Sequence, residues 1–376
     1  TSLLEPILNH RNESFNLDTL FTEADDFSEL FVEGGGEGGF VEEVRYNVMN
    51  MMVDGGEDGG RIRQLSFVAE QTIDVLLGTG EATYVSYTDD DGSVVWVNMY
   101  YGSARMTFRG TDLTQETVGG VLTVSGTGVA LDDVEVTESS VYSSLNFYVS
   151  GGDGVTEVKR ITGADPLGFL NASGVNLSGV GIEMTGDGYI GSIQLHNIID
   201  GADILMSGAG PAGGVSVLVG SIGEGTDIHL GSGVLYLSAS EWIGGSLNTP
   251  WVSSLLINGG YQDGVIVAGN FGANVTLTDG DLWGSSLQYA YVAGSVTGGQ
   301  WNLSGNAGTI YVVGNVTDNT MGFGGDVTYL YVLGDMTDST VEVGGAAAMI
   351  YVAGDMVGAA VNVSGDMTYL YVLGDM

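Results

Sequence analysis

The sequence predicts an all-β chain: a small sandwich-like module followed by a parallel β-helix (a β-solenoid) with coils of about twenty residues. Three observations carry this. "VTYLYVLGDM" at 327–336 returns as "MTYLYVLGDM" at 367–376, with "AMIYVAGDM" between them at 348–356. Within each line the apolar residues alternate with period two, the signature of a strand rather than a helix. Gly numbers 64 of 376 residues while Pro numbers only 4, which fits many short strands joined by tight turns.

The first element, residues 1–64, is an acidic, Gly-rich arm. "TLFTEADDFSELF" (19–31) places Leu20, Phe21, Phe27, Leu30 and Phe31 near helical spacing, which predicts a short amphipathic helix. "EGGGEGG" (33–39) and "DGGEDGG" (54–60) then interrupt regular structure. Two readings stand for this arm: a solvated tail, or a segment that docks onto a neighbouring copy.

Residues 65–164 form the β-sandwich-like module. "TIDVLLG", "TYVSY", "SVVWVNMYY", "ARMTFRG", "GVLTVSG" and "SSLNFYVSGG" are strand-length, rich in β-branched and aromatic residues, and bounded by Gly or Asp. "SYTDDDGSVVWVNM" reads as a hairpin turning at Asp91-Gly92.

Residues 165–376 form the β-helix. Coil starts fall at Ala290, Ile310, Leu330, Ile350 and Leu370, each followed by a tyrosine: Tyr291, Tyr311, Tyr331, Tyr351 and Tyr371. Four residues after each start stands Gly294, Gly314, Gly334, Gly354 or Gly374. A second strand answers at "WNLSG", "MGFGG", "VEVGG" and "VNVSG" (301–305 to 361–365). A fixed period of this length means a solenoid. Leu330, Val332 and Met336 share the inward face. Earlier coils are looser: "IDGADILM" (199–206) and "GEGTDIHL" (223–230) align 24 residues apart and pair Asp203 with Asp227, and "VIVAGNF" (265–271) precedes "YVAGSV" by 25.

Coils stacked ~4.8 Å apart turn identical positions into ladders. The outer tyrosines are expected to stack ring over ring along the axis. Their outward neighbours Ala293, Val313, Leu333, Ala353 and Leu373 are apolar too, so this face is a stripe that either packs under the chain's own N-terminal segments or mates with another subunit. A second ladder holds Ser295, Asn315, Asp335, Asp355 and Asp375. These are ordinary turn residues after Gly, or carboxylates bridged by Ca²⁺, screened by salt or carrying raised pKa values. The last turn, "YLYVLGDM", carries no polar cap. Either the chain continues, or the open edge receives a partner's strand and grows a filament.

Charge excludes whole classes of partner. Acidic side chains number 47 against 8 basic, a net of −39, and residues 161–376 hold no Lys or Arg. Nucleic acid and anionic membrane surfaces are excluded, because phosphate binding needs cations. No apolar run is long enough for a membrane-inserting helix. The chain has no Cys, hence neither disulfides nor thiolate metal sites.

Signals for catalysis are weak. His10, His196 and His229 show no metal-ligand spacing, and His229 in "DIHL" reads as a packed strand residue. No GxSxG, P-loop or dinucleotide fingerprint appears. Polysaccharide-degrading β-helices make a carboxylate-paired hydrolase an alternative, with Asp200, Asp203 and Asp227 as its candidates. "TDDDG" (88–92) has a chelating look, so Asp89 and Asp91 are candidate Ca²⁺ ligands beside the plain reading of an acidic turn. Asn-x-Ser/Thr sites at Asn12, Asn171, Asn176, Asn274, Asn302, Asn315 and Asn362 fit an exported surface.

"LLEPIL" (3–8), "YTDDDGSVVWVNMYYGSARMTF" (87–108), "IGSIQLHNIIDGADILMSG" (190–208) and "VGSIGEGTDIHLGSG" (219–233) resemble, in that order, the LEPR-xLL segment, the acidic DxDG module and the coils of large Gly-rich surface proteins of planctomycete-type bacteria. The resemblance spans most of 3–320. It implies export and a β-helical surface protein, and it carries over no catalytic residue. The expectation is a non-enzymatic subunit of an extracellular filament or cell-surface layer, self-associating, with no required cofactor beyond optional Ca²⁺. An adhesin or carbohydrate-binding rod that uses the tyrosine face on cell-surface glycans is the alternative, and a polysaccharide-degrading enzyme the third.

Overall fold

The computed structural model describes residues 70–78, 80–262, 264–281 and 284–376, together with the backbone of two strands, Leu30–Gly34 and Met51–Gly55. Those two strands pair in parallel, Leu30 opposite Met51. Leu30 and Phe31 therefore lie in a strand rather than at the end of a helix, since the run Leu-Phe-Val favours ladder pairing over the 3.6-residue pattern. The rest of the expected helix, the proposed docking arm and His10 lie outside the described residues.

From Gln71 onward the described chain is strands and turns only, with a parallel β-solenoid of about eleven turns. Winding begins with Thr156–Gly163, ahead of residue 165. The hairpin Tyr84–Thr88 to Val94–Tyr100 is antiparallel, as "TDDDG" predicts. Val94–Tyr100 then pairs antiparallel with Ser144–Ser150, which in turn pairs parallel with Leu167–Met184. The sheet thus crosses residue 164 without a break, and one buried apolar core runs from Val75 to Met356.

Each strict coil has three strands. One ladder runs through Ser285–Val292, Asn306–Val312, Val327–Val332, Ala347–Val352 and Met367–Val372, with Tyr291, Tyr311, Tyr331, Tyr351 and Tyr371 in register. A second runs through Gln300–Leu303, Thr320–Phe323, Thr340–Val343 and Ala360–Val363. A third, unread in the sequence, stacks the two-residue strands Val296–Thr297, Val316–Thr317, Met336–Thr337 and Met356–Val357. Leu330, Val332 and Met336 are fully buried. No strand among the described residues lies on the far side of Met367–Val372.

Two features depart from the twenty-residue grid. "VIVAGNF" is coil only in its second half: Val265–Val267 pairs antiparallel with Gly260–Gln262 in a hairpin that leaves the solenoid, whereas Phe271 pairs in parallel with Val296, 25 residues on as the sequence alignment expects. Gly259 and Gly260, at φ 63° and 129°, turn the chain out, a conformation residues with a side chain rarely adopt. The true coil joins Leu255 to Ala290 across this insertion. Inside the bore, Trp242, Phe271 and Trp301 form an edge-to-face column, with centroids 5.6 and 5.5 Å apart. The Trp242 indole N–H donates to Gly244 O at 2.8 Å, whereas the buried Trp301 Nε1 has no hydrogen-bond partner.

Candidate functional site

Three places gather the predicted site residues: the corner ladder of Asx residues, the acidic turn, and the tyrosine face.

The corner ladder is built from hydrogen bonds between coils. The amide of Ser295 donates to Asn270 Oδ1 (2.9 Å), that of Asn315 to Ser295 Oγ (3.0 Å) and that of Asp335 to Asn315 Oδ1 (2.8 Å). The amide of Asp355 donates to Asp335 Oδ1 (2.9 Å), and that of Asp375 to Asp355 Oδ1 (2.7 Å). Each side chain caps a turn amide that the strand ladders leave unpaired. This explains the preceding glycines: a Cβ on Gly334 would stand 2.2 Å from Asn315 Oδ1 and 2.7 Å from the Gly314 carbonyl carbon. Here Gly supplies room for a close approach. Asp335 and Asp355 are thus brought together, each with one carboxylate oxygen engaged by an amide. Asp203 and Asp227 obey the same rule, the amide of Asp227 donating to Asp203 Oδ1 at 2.8 Å, while Asp200 turns the chain at φ 55°. His229 is not packed as the sequence reading had it; it points outward, because Ile228 and Leu230 take the interior.

The acidic turn does bring Asp89 and Asp91 together. The Ser93 amide donates to Oδ1 of both, at 2.9 Å each, and the Asp153 amide donates to Asp91 Oδ2 at 2.6 Å. Burial, with the Asp91 carboxyl beside it, pushes Asp89 up to about 6. The hydrogen bond from Asp89, joined by the amides of Asp153 and Ser93, holds Asp91 well below the usual carboxylate range. The pair therefore shares a proton under mildly acidic conditions. It borders a cavity of about 360 Å³, on whose wall Asp132 holds Arg109 (3.0 Å) and Lys159 (2.9 Å). Among the described residues, no group of three or more His, Asp or Glu has the arrangement of a metal site.

The tyrosine face is wider than a single stripe. Tyr291, Tyr311, Tyr331 and Tyr351 are half-buried, and on either side of them run two more outward columns. One holds Tyr289, Thr309, Tyr329, Met349 and Tyr369; the other holds Ala293, Val313, Leu333, Ala353 and Leu373. None of these residues is charged. No known protein family, curated protein or solved structure matches the chain. Function therefore has to be argued from this geometry alone.

Ring stacking differs from the expectation. Tyr291 and Tyr311 stack along the axis, at 6.0 Å and 16°. Tyr331 instead tilts 47° from Tyr311 and 54° from Tyr351, and lies nearly parallel to Tyr329 of its own strand, at 5.9 Å and 22°. Tyr369 and Tyr371 repeat that pairing at 5.7 Å and 14°. Residues i and i+2 point to the same side of a strand, so a second tyrosine there is placed to take the ring face, as Tyr329 and Tyr369 do, whereas Tyr291, with Tyr289 at the same offset, keeps the axial stack. The sequence reading missed this column, although "TYLY" at 328–331 and 368–371 contains its signal.

Proposed function

We propose that the chain is a structural subunit of an extracellular assembly, a filament or a cell-surface layer, in which the solenoid is a stiff spacer and the tyrosine face makes contact with a neighbour. One observation carries the reading: on a protein of net charge −39, a sheet face three columns wide and five coils long holds no charged side chain and leaves its tyrosines and leucines part-exposed. Exposed apolar patches of that kind mark interaction sites. Inter-coil hydrogen bonds at every corner and a continuous core supply the rigidity that a load-bearing part needs. The carboxylates elsewhere keep such rods soluble until neutral faces meet. Ca²⁺ enters this reading as an optional counterion at the acidic turn and the Asx ladder, not as a required cofactor.

Negative-stain imaging of the purified full chain, with and without Ca²⁺ and across salt concentrations, tests the reading. Regular side-by-side or layered assemblies are the expected result. Dispersed single particles at every concentration contradict it.

A further inference from the structure

The outward face does not repeat identically on every coil: the middle column is tyrosine throughout, whereas the first column alternates large and small from coil to coil and the third does so from Leu333 onward. The first alternates Tyr289, Thr309, Tyr329, Met349, Tyr369, and the third ends Leu333, Ala353, Leu373. Tyr329 and Leu333 are each 38% exposed, while Thr309, Met349 and Ala353 are shielded further; Val313, at 37%, stands outside this alternation. The paired rings Tyr329–Tyr331 and Tyr369–Tyr371 stand on the same coils as Leu333 and Leu373. The face is therefore corrugated: a ridge on the coil of Tyr331, a groove on that of Tyr351, a ridge on that of Tyr371. Adjacent coils lie ~4.8 Å apart, which sets a ridge-to-ridge repeat of ~9.6 Å.

From this relief we infer that the partner of the tyrosine face is a second copy of the same chain, packed face to face and antiparallel, with the ridges of one copy seated in the grooves of the other. The inference rests on the assembly reading above and names its contact. A two-fold axis along the strand direction preserves the order of the columns and reverses the coils. Tyr329, Tyr331 and Leu333 of one copy then meet Met349, Tyr351 and Ala353 of the other, and the reverse holds, as an isologous contact requires. Facing large against small is what lets two layers interdigitate. Parallel packing with like coils opposed would set ridge on ridge.

Charge favours the same occupant. A polyanion is repelled by the surrounding carboxylates, and a cationic partner finds no counter-charge on the face itself. Two copies repel each other over most of their surfaces but not here. A neighbour whose outer columns follow the same ~9.6 Å spacing sets Tyr329 and Leu333 against the smaller Met349 and Ala353 of the other copy, and a second solenoid of this sequence has that spacing. The patch covers ~24 Å by ~13 Å, on the order of 300 Å², short of the ~800 Å² per partner of a stable complex. One contact is therefore weak and reversible, and repetition in an assembly supplies the avidity.

A double-mutant cycle tests the meshing in the full chain. Ala353→Leu fills a groove and Leu333→Ala flattens a ridge, while the double variant L333A/A353L moves the ridge by one coil. Both positions face outward, so melting temperatures serve as the control for folding. Sedimentation equilibrium is expected to show each single variant weakening self-association by about 10-fold and the double variant returning to within about 3-fold of the parent, a non-additivity that only direct juxtaposition gives. Additive losses, or no loss, overturn the inference while leaving the assembly reading intact if the parent still assembles in images. A parent that stays monomeric overturns both. If that monomer is retained on neutral glycans, and Tyr329→Ala abolishes the retention, the face belongs to a sugar.

Discussion

The amide of Asp355 donates to Oδ1 of Asp335, one coil earlier, at 2.9 Å. This single contact reconciles two demands that conflict: a turn amide needs an acceptor, and stacked carboxylates repel. The acceptor is fixed by geometry, whereas the charge is incidental to it. Asp335→Asn, which keeps the carbonyl oxygen and removes the charge, should raise the melting temperature by about 1–2 °C in low salt and change nothing in high salt. Asp335→Ala, which strands the Asp355 amide, should lower it in both. Thermal melts in dilute buffer and in molar salt separate the two effects.

Gly334 tests the reason for the glycine ladder. Its Cβ would collide with Asn315 Oδ1 and the Gly314 carbonyl carbon, so Gly334→Ala should cost about 1–3 kcal/mol. Gly298→Ala, at φ 67° with nothing within 4 Å of the added Cβ, should cost less, because it carries only backbone strain. Denaturant unfolding of both variants ranks the two. An equal loss would mean that room is not the reason.

Trp301 buries an indole N–H without a partner. Trp301→Phe removes that donor and keeps a ring against Phe271, so stability should stay within about 1 kcal/mol of the parent. Trp301→Ala should cost about 3–5 kcal/mol through the cavity it leaves. Denaturant titration of both reads the difference directly.

The acidic turn gives a pH signature. Asp89 titrates near 6 in the folded chain, above its ordinary value of 3.8, so the folded state holds the extra proton between those values. Stability associated with this group is complete below about pH 4 and is lost as pH rises through 6. Asp91 has the opposite sign: depressed when folded, it favours the folded state above pH 4 and loses that contribution only in strong acid. Asp89→Asn keeps the acceptor for the Ser93 amide and should raise the melting temperature at pH 7.5 while leaving it near the parent's at pH 4. Melts across that range give the profile, and a gain of the same size at both pH values would rule out the shared proton.

Much of the solenoid was legible because its physics repeats. Leu330, Val332 and Tyr331 recur at fixed spacing, and parallel stacking leaves them no other register than the one observed. The paired placement of Asp203 and Asp227 followed from the same logic. The third strand of each coil escaped because two residues, such as Val316–Thr317, carry no periodicity. In "VIVAGNF" the 25-residue register holds at Asn270 and Phe271, but "VIV" misleads, because an exposed hairpin with Ile266 81% exposed uses the same β-branched residues as a buried coil. The corrugation lay in plain view in the forty-residue return of "TYLYVLGDM", yet its meaning depends on which side of the strand Tyr329 and Leu333 occupy. Asp89 and Asp91 were found by their crowding, but the amides of Ser93 and Asp153 that hold them come from turns brought together only by the fold.

Small-angle X-ray scattering of the full chain over a concentration series measures the central claim most directly, because it separates thickness from length. Meshing of the tyrosine faces predicts that the mass per unit length of the scattering rod approaches twice the monomer value as concentration rises. A mass per unit length that stays at the monomer value while the particles lengthen, or that never changes at all, would contradict it.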